Sequence, residues 1–318
     1  MNAEIGGDVH RAADMLRSGE VVAIPTETVY GLAANAFDPV AVLRVFKVKD
    51  RPAFDPLIVH VGDREQLAKV VKMWPDQAEA LMDKFWPGPL TLVLPKRPEV
   101  SDLVTSGSDT VAVRMPAHPT TRELLKVTGF PLAAPSANPF GYVSPTTAEH
   151  VADQLGERIP YILDGGPCGI GVESTILAPL ADGGWGLLRP GGVSLEALEP
   201  IIGRPTQRQD HGPQLLPGML PSHYAPRKPV YMGDVEDLAR RFHGRRTAVI
   251  SFRSEHPAFR CEVLSPSGDL GEAAMHLFAV LRELDASPCE VILAEEFPEH
   301  GLGRAINDRL RRASAART

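Results

Sequence analysis

The chain has 318 residues, 43% hydrophobic and 23% charged, the balance of a folded globular protein with apolar material for two cores. Its 33 Lys and Arg against 40 Asp and Glu give a net charge of −7, which excludes a chain-wide basic surface for a polyanion. Three widely spaced cysteines, Cys168, Cys261 and Cys289, exclude a disulfide framework, and neither a CxxC nor an HExxH string points to zinc. No basic, apolar leader opens the chain and no segment has the length of a membrane span, so the expectation is a soluble cytoplasmic protein.

In chain order, Asp8 to Ser18 reads as a helix. Asp8 is its N-cap, Val9, Ala12, Ala13 and Leu16 fall at helical spacing, and Gly19 ends it. Val21 to Ile24 is a short buried strand, and Pro39 to Val48 a second helix opened by Asp38 and Pro39. The runs "PLIVHV", "LTLVLP", "TVAVRM", "PLAA" and "YILD" read as strands bounded by Pro, Gly or Asp. Helical patterns at Thr120 to Thr128 and Thr147 to Leu155 separate some of them, which predicts an α/β domain with a mixed sheet.

Gly203 to Pro229, "GRPTQRQDHGPQLLPGMLPSHYAPRKP", holds no sustained period and reads as a linker. Alternation then restarts. "PVYMG", "TAVISF" and "CEVILAEEF" are strand-like. Asp269 to Asp285 is an amphipathic helix with Ala273, Ala274, Leu277, Phe278, Leu281 and Leu284 on one stripe. This predicts a small Rossmann-like domain lacking a glycine fingerprint. The expected organisation is a first domain over 1–203, a linker over 204–229 and a second domain over 230–318.

Polar residues recur at the ends of the first domain's strands. Thr26, Glu27, Thr28 and Tyr30 follow "AIP"; Arg114 closes "VAVR"; Ser136, Asn138 and Ser144 follow "PLAAP"; Ser174, Thr175 and Arg189 lie in "GVESTI" and "LLRPG". Ligands collect at strand ends in α/β sheets, so the pattern points to one concave cleft. Singly, each residue has an ordinary explanation. Thr26 and Thr28 can be turn hydroxyls, "PSAN" a loop cap, Arg114 and Arg189 surface cations, and His60 a satisfied core histidine. "GGPCGIG" (Gly165 to Gly171) lacks the spacing of a phosphate loop, and no Walker A string exists.

Together, "PTETVYGL", "KDRPAFDPLIVHV", "FWPGPLTLVL", "AVRMP", "PSANPFGYVSPT" and "GVESTI…LLRPG" resemble the YrdC-type domain of L-threonylcarbamoyladenylate synthases over about residues 8–203. "PGMLPSHYAP" and "EHGLGRAINDRLRRAS" resemble the long form of that family, with its appended Rossmann-like domain. The resemblance implies a twisted mixed sheet with a concave cleft, and a nucleotidyl transfer in which L-threonine, bicarbonate and ATP give threonylcarbamoyl-AMP and pyrophosphate. It further implies Mg²⁺ held mainly by the ATP phosphates. The product would supply a separate transferase complex that modifies tRNA beside the anticodon.

The resemblance also implies roles. Lys49 and Arg51 would grip the ATP phosphates, with Arg189 a further cation. Ser136, Asn138, Ser144 and Thr110 would contact the nucleotide. Asp55 stands where relatives often carry Asn. Arg114 would bind the threonine carboxylate, with Thr28, His60, Ser174 and the Ala134 backbone holding its other groups. His60 is a candidate acceptor of the amine proton. His223 and Tyr224 would close over the cleft as part of a lid. Direct tRNA affinity should be weak, because the chain is acidic and lacks interleaved aromatic and basic residues. The competing reading is a nucleotide- or RNA-binding regulatory module without synthase activity, including a nucleotide sensor sited on the second domain. A carbamoyl-phosphate-using relative is disfavoured by the missing CxxC pairs.

Overall fold

Asp8 and Asp38 each start a helix because a carboxylate accepts the otherwise unpaired N–H groups of the first turn. Asp8 caps α1 (Val9–Arg17) through the Arg11 N–H, and Asp38 caps α2 (Pro39–Lys49) through those of Val40 and Ala41. The computed structural model describes residues 2–52, 55–207 and 223–315. The first strands are β1 (Glu4–Gly6), β2 (Val22–Ile24), β3 (Gly31–Asn35) and β4 (Ile58–His60). There follow α3 (Arg64–Val70), α4 (Asp76–Phe85), β5 (Leu90–Pro95), α5 (Asp102–Thr105), β6 (Thr110–Arg114), α6 (Pro119–Thr128) and β7 (Leu132–Ala133). Then come α7 (Ala148–Leu155), β8 (Tyr161–Leu163), β9 (Thr175–Pro179), β10 (Trp185–Arg189), α8 (Leu195–Ile202) and β11 (Thr206–Gln207).

Among the described residues these strands form one mixed sheet in the order β1-β8-β2-β3-β7-β4-β6-β5-β9-β10-β11. Its centre sets the functional geometry. β4 and β6 run parallel with His60 opposite Arg114, so both side chains emerge together at the carboxyl ends. β5 runs parallel to β9, which brings Thr91 beside Ser174.

The second sheet is wholly parallel, in the order β12-β15-β13-β14. It comprises β12 (Val230–Met232), β13 (Thr247–Ser251), β14 (Arg260–Val263) and β15 (Val291–Ala294), with α9 (Val235–Arg241), α10 (Leu270–Ala286) and α11 (Gly303–Ser314). The stripe expected on α10 is buried in full. Each such Leu or Phe contributes about 1.5–3 kcal/mol on burial.

Three differences from the expectation have physical causes. β14 was not foreseen, because its four residues, though alternately polar and apolar, are all half-exposed at a sheet edge and too short a run to stand out. The supposed linker enters the sheet at Thr206–Gln207, which pair with β10; the expected linker residues 208–222 lie outside the described residues. The two sheets also share one apolar cluster, in which Val29, Val143 and Val172 pack with Leu277, Phe278 and Ile306. Gly171 makes this close approach possible. At φ +79°, a Cβ there would stand 2.4 Å from the Met275 Cα of α10. "GGPCGIG" is thus where the second sheet's helix docks. No helix among the described residues is long and apolar enough to cross a membrane.

Candidate functional site

A cavity of about 50 Å³ lies at the strand ends of the first sheet. Of the residues singled out in the sequence, Thr26, Thr28, Arg51, His60, Arg114, Ala134, Ser136, Ser174, Arg189, His223 and Tyr224 line it. Lys49, Asp55, Thr110, Asn138 and Ser144 are not among its lining residues.

One wall is built around Arg114. Its Nε donates to the Gly88 carbonyl (3.1 Å), its Nη1 to Thr28 Oγ1 (2.9 Å), and its Nη2 stands 2.5 Å from Glu27 Oε1. A guanidinium has five N–H groups. The first two contacts are hydrogen bonds, whereas Nη2 faces Glu27 as an ion pair and makes no hydrogen bond among the described residues. Burial alone would raise the Glu27 pKa, but the Arg114 charge and the Ala117 N–H hold the carboxyl below its ordinary value. The Thr26 hydroxyl donates to the Val29 carbonyl (2.6 Å). Its oxygen therefore accepts from Thr28 at 2.9 Å, and that pair has a fixed polarity.

His60 lies beside Arg114, buried, with Nδ1 lacking a partner among the described residues. Burial and then the Arg114 charge push its pKa down to about 3, so the imidazole is neutral near pH 7.

The opposite wall carries Arg51 and Arg189. Arg51 donates to the Asp55 and Pro56 carbonyls (3.0 and 2.9 Å), and its Nη2 stands 2.8 Å from Asp55 Oδ1. Burial raises the Asp55 pKa despite that cation. Arg189 is held through Nε and Nη2 to the Ser174 carbonyl (3.2 and 3.0 Å), and through Nη2 to Ser174 Oγ (3.2 Å). Ser174 Oγ in turn meets Thr91 Oγ1 at 2.7 Å.

The remaining predicted residues brace this wall. Lys49 is buried and donates to the Ser136 carbonyl (2.5 Å) and to that of Asn138, tying the end of α2 to the "PSAN" loop. Burial, with Arg51 nearby, puts its pKa well below the ordinary value. Asn138 spends its amide on the Pro139 and Tyr142 carbonyls. Thr110 starts β6 and pairs through its hydroxyl with Ser108. Ser144 donates to Glu173 Oε1 (2.6 Å).

His223 and Tyr224 form the side facing the second sheet. His223 meets Phe140 and Tyr224 edge-on, with centroids 6.1 and 4.2 Å apart. Burial, then the Arg51, Lys49 and Arg189 charges, drives its pKa well below the ordinary value. Tyr224 packs on Phe278 of α10 and takes a left-handed backbone, φ 60°. Such strain in a bulky residue costs about 1–3 kcal/mol and persists only where its surroundings enforce it.

Glu27 was noted in the sequence only as one of the polar residues at a strand end, with no role, and Glu173 was not singled out. Each sits between apolar or hydroxyl residues directly beside a strand, in "TET" and "VES", where an acid needs a buried partner. That pattern was the available signal. Among the described residues no group of three or more His, Cys, Asp or Glu could hold a metal ion.

A mixed sheet with a cation-lined cavity at its strand ends, backed by a parallel sheet, defines a YrdC-type α/β domain with a Rossmann-like companion. The family model described as telomere recombination matches residues 14–191, and that described as threonylcarbamoyl-AMP synthase, C-terminal domain, matches 193–315. The threonylcarbamoyl-AMP synthase of Bacillus subtilis is 43% identical over 97% of this chain and 93% of its own length. That of Pyrococcus abyssi is 44% identical over 96% of this chain and 94% of its own. The crystal structure of P. abyssi Sua5 complexed with L-threonine superposes with a TM-score of 0.90 at 43% identity, covering 96% of this chain and 94% of that one. The chain belongs to the threonylcarbamoyl-AMP synthase family.

Proposed function

We infer that the chain is an enzyme that makes threonylcarbamoyl-AMP from L-threonine, bicarbonate and ATP, releasing pyrophosphate. The observation that carries this reading is Arg114. It is a buried guanidinium held by Gly88, Thr28 and the Glu27 ion pair, its Nη2 making no hydrogen bond among the described residues, in a cavity whose far wall holds Arg51 and Arg189. That arrangement suits an amino-acid carboxylate on one side and a polyphosphate on the other.

The threonine amine and bicarbonate give the carbamate and water. A carbamate oxygen then attacks the α-phosphorus of ATP, and the bond to the bridging oxygen breaks as pyrophosphate leaves with the electron pair. Positioning and charge neutralisation drive such a transfer, and no protein nucleophile is required. Arg51 and Arg189 neutralise charge on the phosphates, while Lys49 and Asn138 act by holding the Ser136 loop in place. Thr28, Ser174 and the Ala134 backbone hold threonine. His60, neutral with a weakly basic ring, binds the substrate and does not store the amine proton. Asp55, Thr110 and Ser144 support the nucleotide side from behind the wall. Mg²⁺ carried by the nucleotide's phosphate oxygens would add charge to the leaving group's side. Glu173, the acid in the cavity wall, already has its oxygens engaged by Ser144 and Arg309.

The cavity is far smaller than the several hundred Å³ that such substrates need. His223 and Tyr224 are therefore the wall that moves for ATP to enter and closes to exclude water from the mixed anhydride. The first domain would extend past the expected 203 to Gln207, where β11 joins its sheet, with the linker over 208–229 and the second domain over 230–318. The product would pass in the cytoplasm to a separate transferase acting on tRNA, with little direct tRNA binding by this chain. A nucleotide sensor in the second domain finds little support. The crevice at the carboxyl ends of β12, β13 and β15 is lined by the four acids Asp234, Glu236, Glu295 and Glu296 against one arginine, Arg253, and His256, a balance that disfavours a polyphosphate.

The test is transfer of label from bicarbonate into a product containing both threonine and AMP. Labelled product supports the reading, and ATP cleavage without it counts against it.

A further inference from the structure

The first sheet does not complete its own active site. Arg309, on α11 of the second sheet's domain, is fully buried and reaches the cavity wall. Its Nε donates to Glu173 Oε2 (2.9 Å) and its Nη1 to the Pro190 carbonyl (2.5 Å), while Asp308 Oδ2 lies 3.0 Å from Nη1. Its guanidinium carbon stands 5.3 Å from the Tyr224 ring centroid. Three of these partners belong to the cavity wall or adjoin it, and Glu173 lines the cavity itself. Glu173 precedes Ser174, Pro190 follows Arg189, and Tyr224 also lines the cavity. The two segments touch through their backbones, since the Gly192 N–H donates to the Glu173 carbonyl (3.0 Å). A Cβ at Gly191 would stand 2.3 Å from that carbonyl oxygen.

We propose that Arg309 is a positioning residue for the nucleotide side of the site, fixing the Ser174–Arg189 wall by neutralising Glu173 and gripping the Pro190 carbonyl. The proposal rests on the synthase reading above only for which substrate that wall faces. Its physical content is a competition between cations. Glu173 is buried beside two of them, Arg309 first and Arg189 second, and together these hold its carboxyl below the ordinary value against burial. With Arg309 present, Arg189 keeps its contacts to Ser174. Without it, an unpaired buried carboxylate cannot persist, and Arg189 is the other cation whose charge acts on it. Arg189 would then turn from the nucleotide to Glu173. The Arg114 wall shares none of these contacts, and Ser174, which stands between the two sides, would lose its Arg189 partner but keep Thr91, so threonine binding would change little. The second domain on this account is a structural part of the ATP site, and a lysine could not replace the arginine. One ammonium cannot pair with Glu173, bond the Pro190 carbonyl and stack on Tyr224 at once.

The experiment compares wild type, Arg309→Met, Arg309→Lys and Arg309→Met/Glu173→Gln in the full chain. Equilibrium binding of ATP and of L-threonine, steady-state pyrophosphate release and thermal unfolding are measured for each. Losing one well-placed cation predicts ATP affinity weaker by about tenfold or more in Arg309→Met, with threonine affinity within about twofold. Arg309→Lys is predicted to stay impaired for ATP, and the double variant to recover at least about fivefold by removing the carboxylate that captures Arg189. A lower unfolding temperature with unchanged ATP affinity in Arg309→Met and Arg309→Lys would overturn the proposal. So would a double variant no better than Arg309→Met, or equal loss of ATP and threonine binding. Wild-type protein that binds ATP but releases no pyrophosphate would refute the synthase reading while leaving the ATP comparison decisive for Arg309.

Discussion

Replacing Arg114 by Gln removes a buried cation that serves two purposes, and the structure separates them. The first is structural. Glu27 is largely buried, and Arg114 Nη2 is its ion-pair partner at 2.5 Å. Leaving one member of such a pair costs about 3–5 kcal/mol, a large share of a domain's stability. In the wild type the folded pKa of Glu27 lies below its ordinary 4.5, so the pair contributes stability above that pH and loses it as pH falls through the lowered value. In Arg114→Gln burial, the largest cause, is opposed only by backbone N–H groups such as that of Ala117, so the folded pKa rises and the stabilisation present above pH 4.5 is lost. The deficit in unfolding temperature is then largest near pH 8 and narrows towards pH 5. The second purpose is threonine binding. Two charge-assisted hydrogen bonds to a carboxylate, at about 1.5–3 kcal/mol each, predict a threonine KM raised on the order of 100-fold. The decisive protein is Glu27→Gln/Arg114→Gln, which carries no unpaired charge and should recover most of the lost stability. Pyrophosphate release with threonine varied at saturating ATP gives its KM. If that KM lies within about threefold of wild type, Arg114 is a structural cation and the assignment of the threonine side is wrong.

With its pKa near 3, His60 predicts no inflection of its own in kcat/KM for threonine between pH 5 and 8, and an approximately tenfold lower value in His60→Asn. An inflection near pH 6.5 that vanishes in His60→Asn would make it a base. Asp55→Asn removes a carboxylate that competes with phosphate for Arg51, so the KM for ATP should fall by about threefold; a rise would show that Asp55 orients Arg51 productively. Gly171→Ala places a methyl 2.4 Å from the Met275 Cα at φ +79° and should cost more than about 2 kcal/mol in calorimetry, whereas unchanged unfolding would contradict the docking of α10.

Local chemistry was legible in the sequence and long-range pairing was not. The caps at Asp8 and Asp38 and the stripe on α10 are set by neighbours within a few residues, and all three stand in the structure as the spacing predicts. The clustering of polar residues at strand ends pointed to one cleft, because strand direction alone delivers His60 and Arg114 to the same edge. What each cation faces depends on partners far away in the chain. Arg309 meets Glu173 across 136 residues, and Lys49 meets the Asn138 carbonyl across 89. No periodicity reports such a pair. Lys49 and Arg51, two residues apart, look interchangeable in the string "KDR", yet one is turned to carbonyls behind the wall and the other lines the cavity. The edge strands β11 and β14 escaped notice for a related reason, since runs of two and four residues are too short to show a pattern.

The most direct test of the central claim is pyrophosphate release by the purified chain with ATP and Mg²⁺, omitting L-threonine and bicarbonate in turn. The account predicts release only when both are present, and little with serine in place of threonine. Release that is indifferent to either omission would contradict it.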